Sequence, residues 1–507
     1  MQTLIFTDVL TPGFGRSAGP YRIATQLRNN GYTCQVIDHC TKYSSDEFVK
    51  IIDKFVTKET LWVGISNTFF FQMNEDQLDD NLKSDEIFDK VFGKISDIRS
   101  GYPFSSEKMK DLFSYIRSKN KNVKIIVGGV RSKEAVWYDA GIKKVYADYY
   151  LHGHADASII ELTNWLKSDK NPRPKLDIIH KAIIDSNRDY PFDHFNTSSI
   201  KFIKEDLISP NEYLPIEFAR GCIFKCKFCN FPMLGKKRGD YTKTKETLAN
   251  EFIYNYETFG TANYMFMDET TNDSMEKAEY LLDITSSLPF KIRWGGFARL
   301  DLHYANPEMA AVMQETGQRH TYFGIETLNK KSGSVIGKGL NPEKVKQTLS
   351  ELKSEWKSKI NITAGLITGL PYETKDTLKN LENYLLSDEC ALDAWTITPL
   401  ILSGDSLFGE NPAKYGYSFD DKSDYFPNWK NNDMNFIEAI QIANEIRHST
   451  KDKCKMHMWN HMRLQNIGYS ESEVDNMTIG TYLNNLDEFK NRITIKKDEY
   501  FTNLMSL

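Results

Sequence analysis

Three cysteines, Cys222, Cys226 and Cys229, fall within eight residues in the stretch Arg220-Gly-Cys-Ile-Phe-Lys-Cys-Lys-Phe-Cys-Asn-Phe-Pro232. The C-x3-C-x2-C spacing directly follows an apolar run ending in Glu217-Phe218-Ala219, so it reads as a loop leaving a strand, on which three thiolates turn toward one metal centre. Iron–sulfur clusters held wholly by protein take four cysteines, and no fourth lies nearby. One iron is then left without a protein ligand, and an open metal position is where catalysis takes place. Zinc is the alternative: a structural zinc site takes four ligands, usually with a C-x2-C knuckle, and would need a residue such as the distant His194. Around the loop, Lys225, Lys227, Lys236, Lys237 and Arg238 form a basic cluster. It reads as a solvated face or, more sharply, as a docking face for an acidic electron donor.

These residues need a scaffold, and from Leu214 the chain repeats strand and helix. Strands are expected at 216–219, 264–267, 292–295, 321–325, 362–367 and 396–400. Between them lie helices with apolar stripes such as Leu248, Phe252 and Tyr256, or Val345, Leu349, Leu352 and Trp356. Six strand–helix units predict a partial barrel, short of the eight of a TIM barrel, with its chemistry at the strands' carboxyl ends. Those ends carry Asp268-Glu269, Arg299, Glu326 and Gly369. Asp268 and Glu269 read equally as helix caps or as ligand contacts.

The first segment also alternates strand and helix. Leu4–Phe6 runs to Asp8 and a loop with Leu10, Pro12 and Gly13; a helix with Ile23, Ala24 and Leu27 stops at Gly31. Further strands are expected at 34–38, at 61–66 ending in Ser66, at 123–127 running into Gly128-Gly129, and at 149–151 before Gly153. Residues 74–90, with seven acidic and two basic side chains, read as a solvated insertion. The alternation predicts a doubly wound parallel sheet with ligands at the strands' carboxyl ends. Asn171-Pro-Arg-Pro174 marks a linker. The expected order is a Rossmann-like domain at 1–170, a linker at 171–210, a barrel at 211–424 and a helical segment at 425–507. That last segment, with Phe436, Ile440, Ala443 and Ile446 on one face, is expected to cover the open side of the barrel. Its His457 and His461 read as core or surface histidines ahead of metal ligands.

A chain of 507 residues, 40% hydrophobic and 26% charged, has the composition of a soluble multidomain protein. Its net charge of −5 gives no reason to expect nucleic acid, and no apolar run approaches a membrane span. Seven cysteines, three of them together, argue for a reducing, cytoplasmic location. Cys34, Cys40, Cys390 and Cys454 read as inert thiols.

The cysteine spacing and the strand-end residues in order resemble the radical S-adenosylmethionine (SAM) superfamily. In that family a 4Fe–4S cluster on the three cysteines binds the amino and carboxylate groups of SAM. The resemblance implies that Phe228 lies near the adenine, that Asp268-Glu269 meet the SAM amino group, and that Glu326 lies near the ribose and methionine. It places Gly365-Leu-Ile-Thr-Gly369-Leu-Pro-Tyr-Glu-Thr374 beside the adenine and makes Arg299 the arginine of the third strand in cobalamin-type members. The first 165 or so residues are similar to cobalamin-binding domains of the methionine synthase type, through Asp8, Gly13, Ser66, Gly128, Gly129 and the loop at Gly153. In the D-x-H-x-x-G loop of that family, Leu10 replaces the histidine, so no histidine at that position ligates cobalt. The function implied is methylation of an unactivated carbon of a small molecule or peptide through a 5′-deoxyadenosyl radical, with an electron donor such as flavodoxin or ferredoxin. The alternatives are a non-methylating rearrangement or cyclisation, a methylthiotransferase (whose upstream cysteines are missing) and, from another class, a non-catalytic iron–sulfur redox sensor.

Overall fold

Short apolar strands buried on both faces belong in a parallel sheet covered by helices. The computed structural model, which describes residues 1–9, 13–66, 106–130, 147–178, 182–231, 233–402, 406–419 and 429–507, contains two such sheets. The acidic stretch 74–90 and Leu10 lie outside the described residues. The chain divides into two compact units: Met1–Asp85, Lys94–Pro210 and Lys490–Leu507 form one, and Glu86–Gly93 with Asn211–Phe489 the other.

In the first unit, β1 (Thr3–Phe6), β2 (Cys34–Ile37), β3 (Trp62–Ser66), β4 (Lys124–Val130), β5 (Tyr149–His152) and β6 (Ile183–Asp185) pair in parallel in the order β2-β1-β3-β4-β5-β6. The first five match the expected strands. The sixth falls in the stretch read as linker, and three residues are too few to show a period of two. Strand order reverses at β1, and ligands of doubly wound sheets bind beside such a switch point. Tyr500 and Leu504, from the chain's last helix, are buried in this unit's core with Phe48, Ile51 and Phe55.

In the second unit, β7 (Leu214–Ile216), β8 (Asn263–Phe266), β9 (Arg293–Ala298), β10 (Gln318–Glu326), β11 (Asn361–Thr368) and β12 (Ala394–Pro399) pair in parallel in sequential order. Each strand–helix unit adds the next strand on the same side, which curls the sheet into a six-stranded partial barrel. Phe323, Ile325, Ala364, Leu366 and Ile397 pack outward with Leu349, Leu352 and Trp356 into one apolar core. The opposite face of the same strands is the inner face.

Two glycines shape that inner face. A Cβ on Gly365 would stand 2.8 Å from the Tyr322 ring, and one on Gly295 would run into Met462 of the helix Met458–Gln465. That helix lies against the inner face with Met458 and Met462 packed on Tyr213 and Met265. The Gly295-Gly296 pair, expected to end β9, instead lets the helix and Thr271 approach the strand closely. β7 ends at Ile216, earlier than its apolar run, because the next amides leave the ladder: those of Phe218 and Ala219 donate to the Asp268 carboxylate, at 2.8 and 2.9 Å.

Candidate functional site

The cysteine loop leaves β7 and is held on several sides by backbone hydrogen bonds. Cys222 N–H donates to Met233 O at 3.2 Å, and Cys222 O accepts from Gly235 N–H at 2.7 Å. Farther along, Lys227 N–H donates to Ile336 O at 3.2 Å, and Lys227 O accepts from Phe408 N–H at 3.0 Å. Gly221 is required where it stands: its φ is +75°, and a Cβ would lie 2.7 Å from Met233 O.

The strand-end carboxylates anchor the start of this loop. Asp268, 1% exposed, takes two amides and also faces Lys277 Nζ at 3.3 Å. Glu269 Oε2 accepts from Gly221 N–H at 2.9 Å, and burial pushes its carboxyl up to about 7, with the Asp268 charge adding to the shift. The chemistry of the pair is therefore split. Asp268 is fully engaged by the loop backbone, and Glu269 keeps one oxygen beside it.

Two of the three sulfurs have a polar side chain from another strand end beside them. Cys222 Sγ lies 3.3 Å from Thr270 Oγ1, and Cys226 Sγ accepts from Arg299 Nη1 at 3.3 Å. Burial pushes the Cys229 thiol up to about 11, and charge on Cys226 and Cys222 pushes it the same way. A metal bound among the three sulfurs would offset both effects, since coordination strips the proton outright. Among the described residues, the trio of acidic, histidine or cysteine side chains whose ligand atoms all come within 4.8 Å of one another is Asp8, Asp38 and His39. The three cysteine sulfurs do not form such a trio.

The remaining strand ends lie on the same carboxyl edge as the end of β7 from which the loop leaves. Glu326 has φ of +67° at a bulge where the β10–β11 register shifts, and its carboxylate pairs with Lys338 Nζ at 3.3 Å. A bulge of this kind re-aims the side chain at the end of a strand. Gly369, at φ +88°, has no room for a Cβ against Trp429, and its carbonyl accepts from Tyr417 Oη at 2.8 Å. Its close contact is thus with protein. Phe228 packs, partly buried, against the outer apolar core. On the inner face, Tyr322 Oη bonds Thr396 Oγ1, and the Phe297 ring stands 5.0 Å from Tyr322 and 5.4 Å from Trp459. Spacing missed Thr270, Asp301 and Lys338. Only Asp301, two residues after Arg299, gave a local signal of charge complementarity.

In the first unit, Ser66 pairs with Gly128 across β3 and β4, so the expected serine and first glycine are neighbours at the carboxyl edge. A Cβ on Gly128 would meet nothing within 4 Å, and Gly13 and Gly129 have φ of +88° and +80°. Gly153 differs: a Cβ there would lie 2.5 Å from Asn187, so this glycine serves packing. Asp8 is buried with its oxygens taken by Lys42 Nζ at 3.0 Å, by Thr41 and by the Val9 amide. An ammonium already neutralises it, which makes the Asp8–Asp38–His39 trio a charge network. His461 is likewise taken up, by Asp475 at 3.0 Å and Gln465 at 2.9 Å.

The sequence pattern of the Radical SAM superfamily matches residues 216–385, the stretch from the end of β7 through β11 and the helix after it. The chain carries a radical SAM domain. Such a domain takes a 4Fe–4S cluster and SAM and needs a reductant. The fold is similar to that of the radical S-adenosylmethionine methyltransferase TsrM from Kitasatospora setae, solved with tryptophan substrate and the SAM analogue aza-SAM. The TM-score is 0.60 at 12% identity, over 83% of this chain and 79% of that one. TsrM with cobalamin and a 4Fe–4S cluster bound gives 0.59 at 13% identity, over 82% and 77%. The cobalamin-dependent SAM radical enzyme OxsB with aqua-cobalamin bound gives 0.61 at 13% identity, over 98% of this chain and 72% of that one. At these identities the likeness is one of fold. No curated protein matches the chain in sequence. No described helix is long and apolar enough to cross a membrane.

Proposed function

We propose that this chain is a cobalamin-dependent radical SAM enzyme that methylates an unactivated carbon of a small molecule or peptide. The observation that carries the proposal is the joining, in one chain, of a radical SAM domain to a doubly wound sheet whose carboxyl edge offers Ser66, an unobstructed Gly128 and Gly129. When bound, the cluster and SAM supply a 5′-deoxyadenosyl radical, and cobalamin supplies the methyl group. The chain's own part is to hold and orient. Cys222, Cys226 and Cys229 are the cluster ligands. Glu269, held by the Gly221 amide beside the loop, is placed for the SAM amino group, and Glu326, re-aimed by its bulge, for the ribose and methionine portion. Asp268 acts one step back, by fixing the backbone that delivers the cysteines. Ser66, Gly128 and Gly129 are the cobalamin contacts; Leu10 supplies no imidazole.

Anaerobic reconstitution with ferrous iron and sulfide tests the reading. The expected result is a reduced cluster whose electron paramagnetic resonance spectrum changes on adding SAM, with 5′-deoxyadenosine formed and one cobalamin retained through gel filtration. A spectrum unaltered by SAM, with no 5′-deoxyadenosine, returns the chain to the redox-sensor reading. SAM cleavage without cobalamin retention turns it to a non-methylating rearrangement or cyclisation.

A further inference from the structure

Arg299 is fixed more completely than a charge-balancing arginine requires. Its amide donates to Asn272 Oδ1 at 2.8 Å and its carbonyl accepts from Asn272 Nδ2 at 3.0 Å, which locks the backbone at the end of β9. Asp301 takes one edge of the guanidinium, Nε to Oδ1 at 2.9 Å and Nη2 to Oδ2 at 2.5 Å. The Phe224 ring lies 3.8 Å from the guanidinium carbon and fixes its plane. The residue is 6% exposed, and the nitrogen left over, Nη1, donates to Cys226 Sγ at 3.3 Å. Phe224 itself sits inside the cysteine motif, so the motif supplies both the platform and the acceptor.

We infer that Arg299 is a positioning residue that sets the reduction potential of the iron–sulfur cluster, acting through the Cys226 sulfur. The inference rests on the cluster assignment proposed above. Reduction adds one negative charge, shared among the iron and its sulfurs, and a charged donor on a ligand sulfur stabilises the reduced form more than the oxidised one. Cys222 has only the neutral hydroxyl of Thr270 beside it at 3.3 Å, and that hydroxyl donates to Glu269 O at 2.7 Å, so the charged donor falls on Cys226 alone of these two. The Asp301 carboxylate holds the far edge of the guanidinium, which leaves the positive end toward the sulfur. Lysine cannot serve, because an ammonium has neither the fork for Asp301 nor the plane for Phe224.

The test is a potentiometric titration of the full-length, anaerobically reconstituted protein without SAM, followed by electron paramagnetic resonance. R299M and R299Q are each expected to lower the equilibrium constant for one-electron reduction at least tenfold, a potential about 59 mV more negative. An unchanged potential in either variant with wild-type iron content overturns the inference, because a merely structural arginine does not move the potential. Should both variants lose iron, F224A removes the platform without removing a charge or a ligand. It is expected to lower the potential by a smaller amount, and a wild-type value again overturns the inference. A wild-type cluster that responds to SAM while the variants titrate unchanged sinks this inference alone. A wild-type protein that assembles no cluster sinks the assignment beneath it as well.

Discussion

The Asp268→Asn substitution isolates how the chain delivers its cysteines. Asp268 is almost wholly buried, with Oδ1 accepting the Phe218 amide at 2.8 Å and Oδ2 the Ala219 amide at 2.9 Å. Asparagine keeps one acceptor oxygen and turns an NH2 group toward the other amide, which loses its partner. A buried N–H without a partner costs about 1–3 kcal/mol. Loss of the charge adds little: burial pushes the Asp268 carboxyl above the ordinary carboxylate range, and Lys277 keeps Thr270 O at 2.8 Å and Asp273 at 3.5 Å. D268N should therefore lose about 1–3 kcal/mol, and D268A, which orphans both amides, about 2–6 kcal/mol. Because Phe218 and Ala219 lie just before Gly221 and Cys222, iron uptake should fall in the same order. Urea unfolding of the apoprotein and iron per chain after anaerobic reconstitution measure the two effects. A D268N protein with the wild-type midpoint and wild-type iron content refutes the reasoning.

Three further outcomes follow from packing and burial. G369A forces a Cβ into Trp429 at φ +88°, so left-handed strain of about 1–2 kcal/mol and overpacking of about 1–3 kcal/mol should both appear in urea unfolding; a neutral substitution contradicts the assigned packing. Glu373 is 1% exposed, and burial pushes its carboxyl up to about 8. Between its unfolded value of about 4.5 and about 8 the folded chain keeps a proton that the unfolded chain has lost, so stability should fall as pH rises through that window and level off above it. Melting temperatures of wild type and E373Q from pH 5.5 to 8.5 should therefore diverge, the wild-type slope being steeper by up to about 1.4 kcal/mol per pH unit; parallel curves refute it. G295V should push Met462 and the helix Met458–Gln465 off the inner face, costing about 1–3 kcal/mol and lowering substrate turnover; retained stability and turnover contradict the role given to this glycine.

Strand periods and strand-end residues were enough to locate every strand of the two sheets but β6, because each of the other apolar runs is bounded by glycine, serine or acid and is long enough to show its pattern. β6 escaped because Ile183-Ile184-Asp185 is only three residues in a polar stretch. β7 was placed too late for a different reason: Phe218 and Ala219 are as buried as strand residues, but a carboxylate some fifty positions away takes their amides. Local pattern reports burial, and burial does not say which partner satisfies the backbone. The same limit applies to the candidate site. Glycine at 153 and at 369 suited a close approach by a ligand, and in both places the structure puts a side chain there, Asn187 or Trp429. Gly128, identical in sequence terms, faces open space.

The side chains that reach the cysteine sulfurs come from other strand ends. Thr270 reaches Cys222 from the end of β8, and Arg299 reaches Cys226 from the end of β9. Parallel strands in sequential order bring such ends side by side although they are about fifty and seventy residues from the loop along the chain. A cysteine motif alone therefore specifies which metal chemistry is available, while the neighbouring strand ends decide its tuning. On that division, replacing a cysteine ligand should abolish the cluster, whereas changes at Thr270, Arg299 or Asp301 should leave a cluster in place and alter its potential. It also locates where two chains of similar fold and low identity can differ in reactivity without differing in ligands.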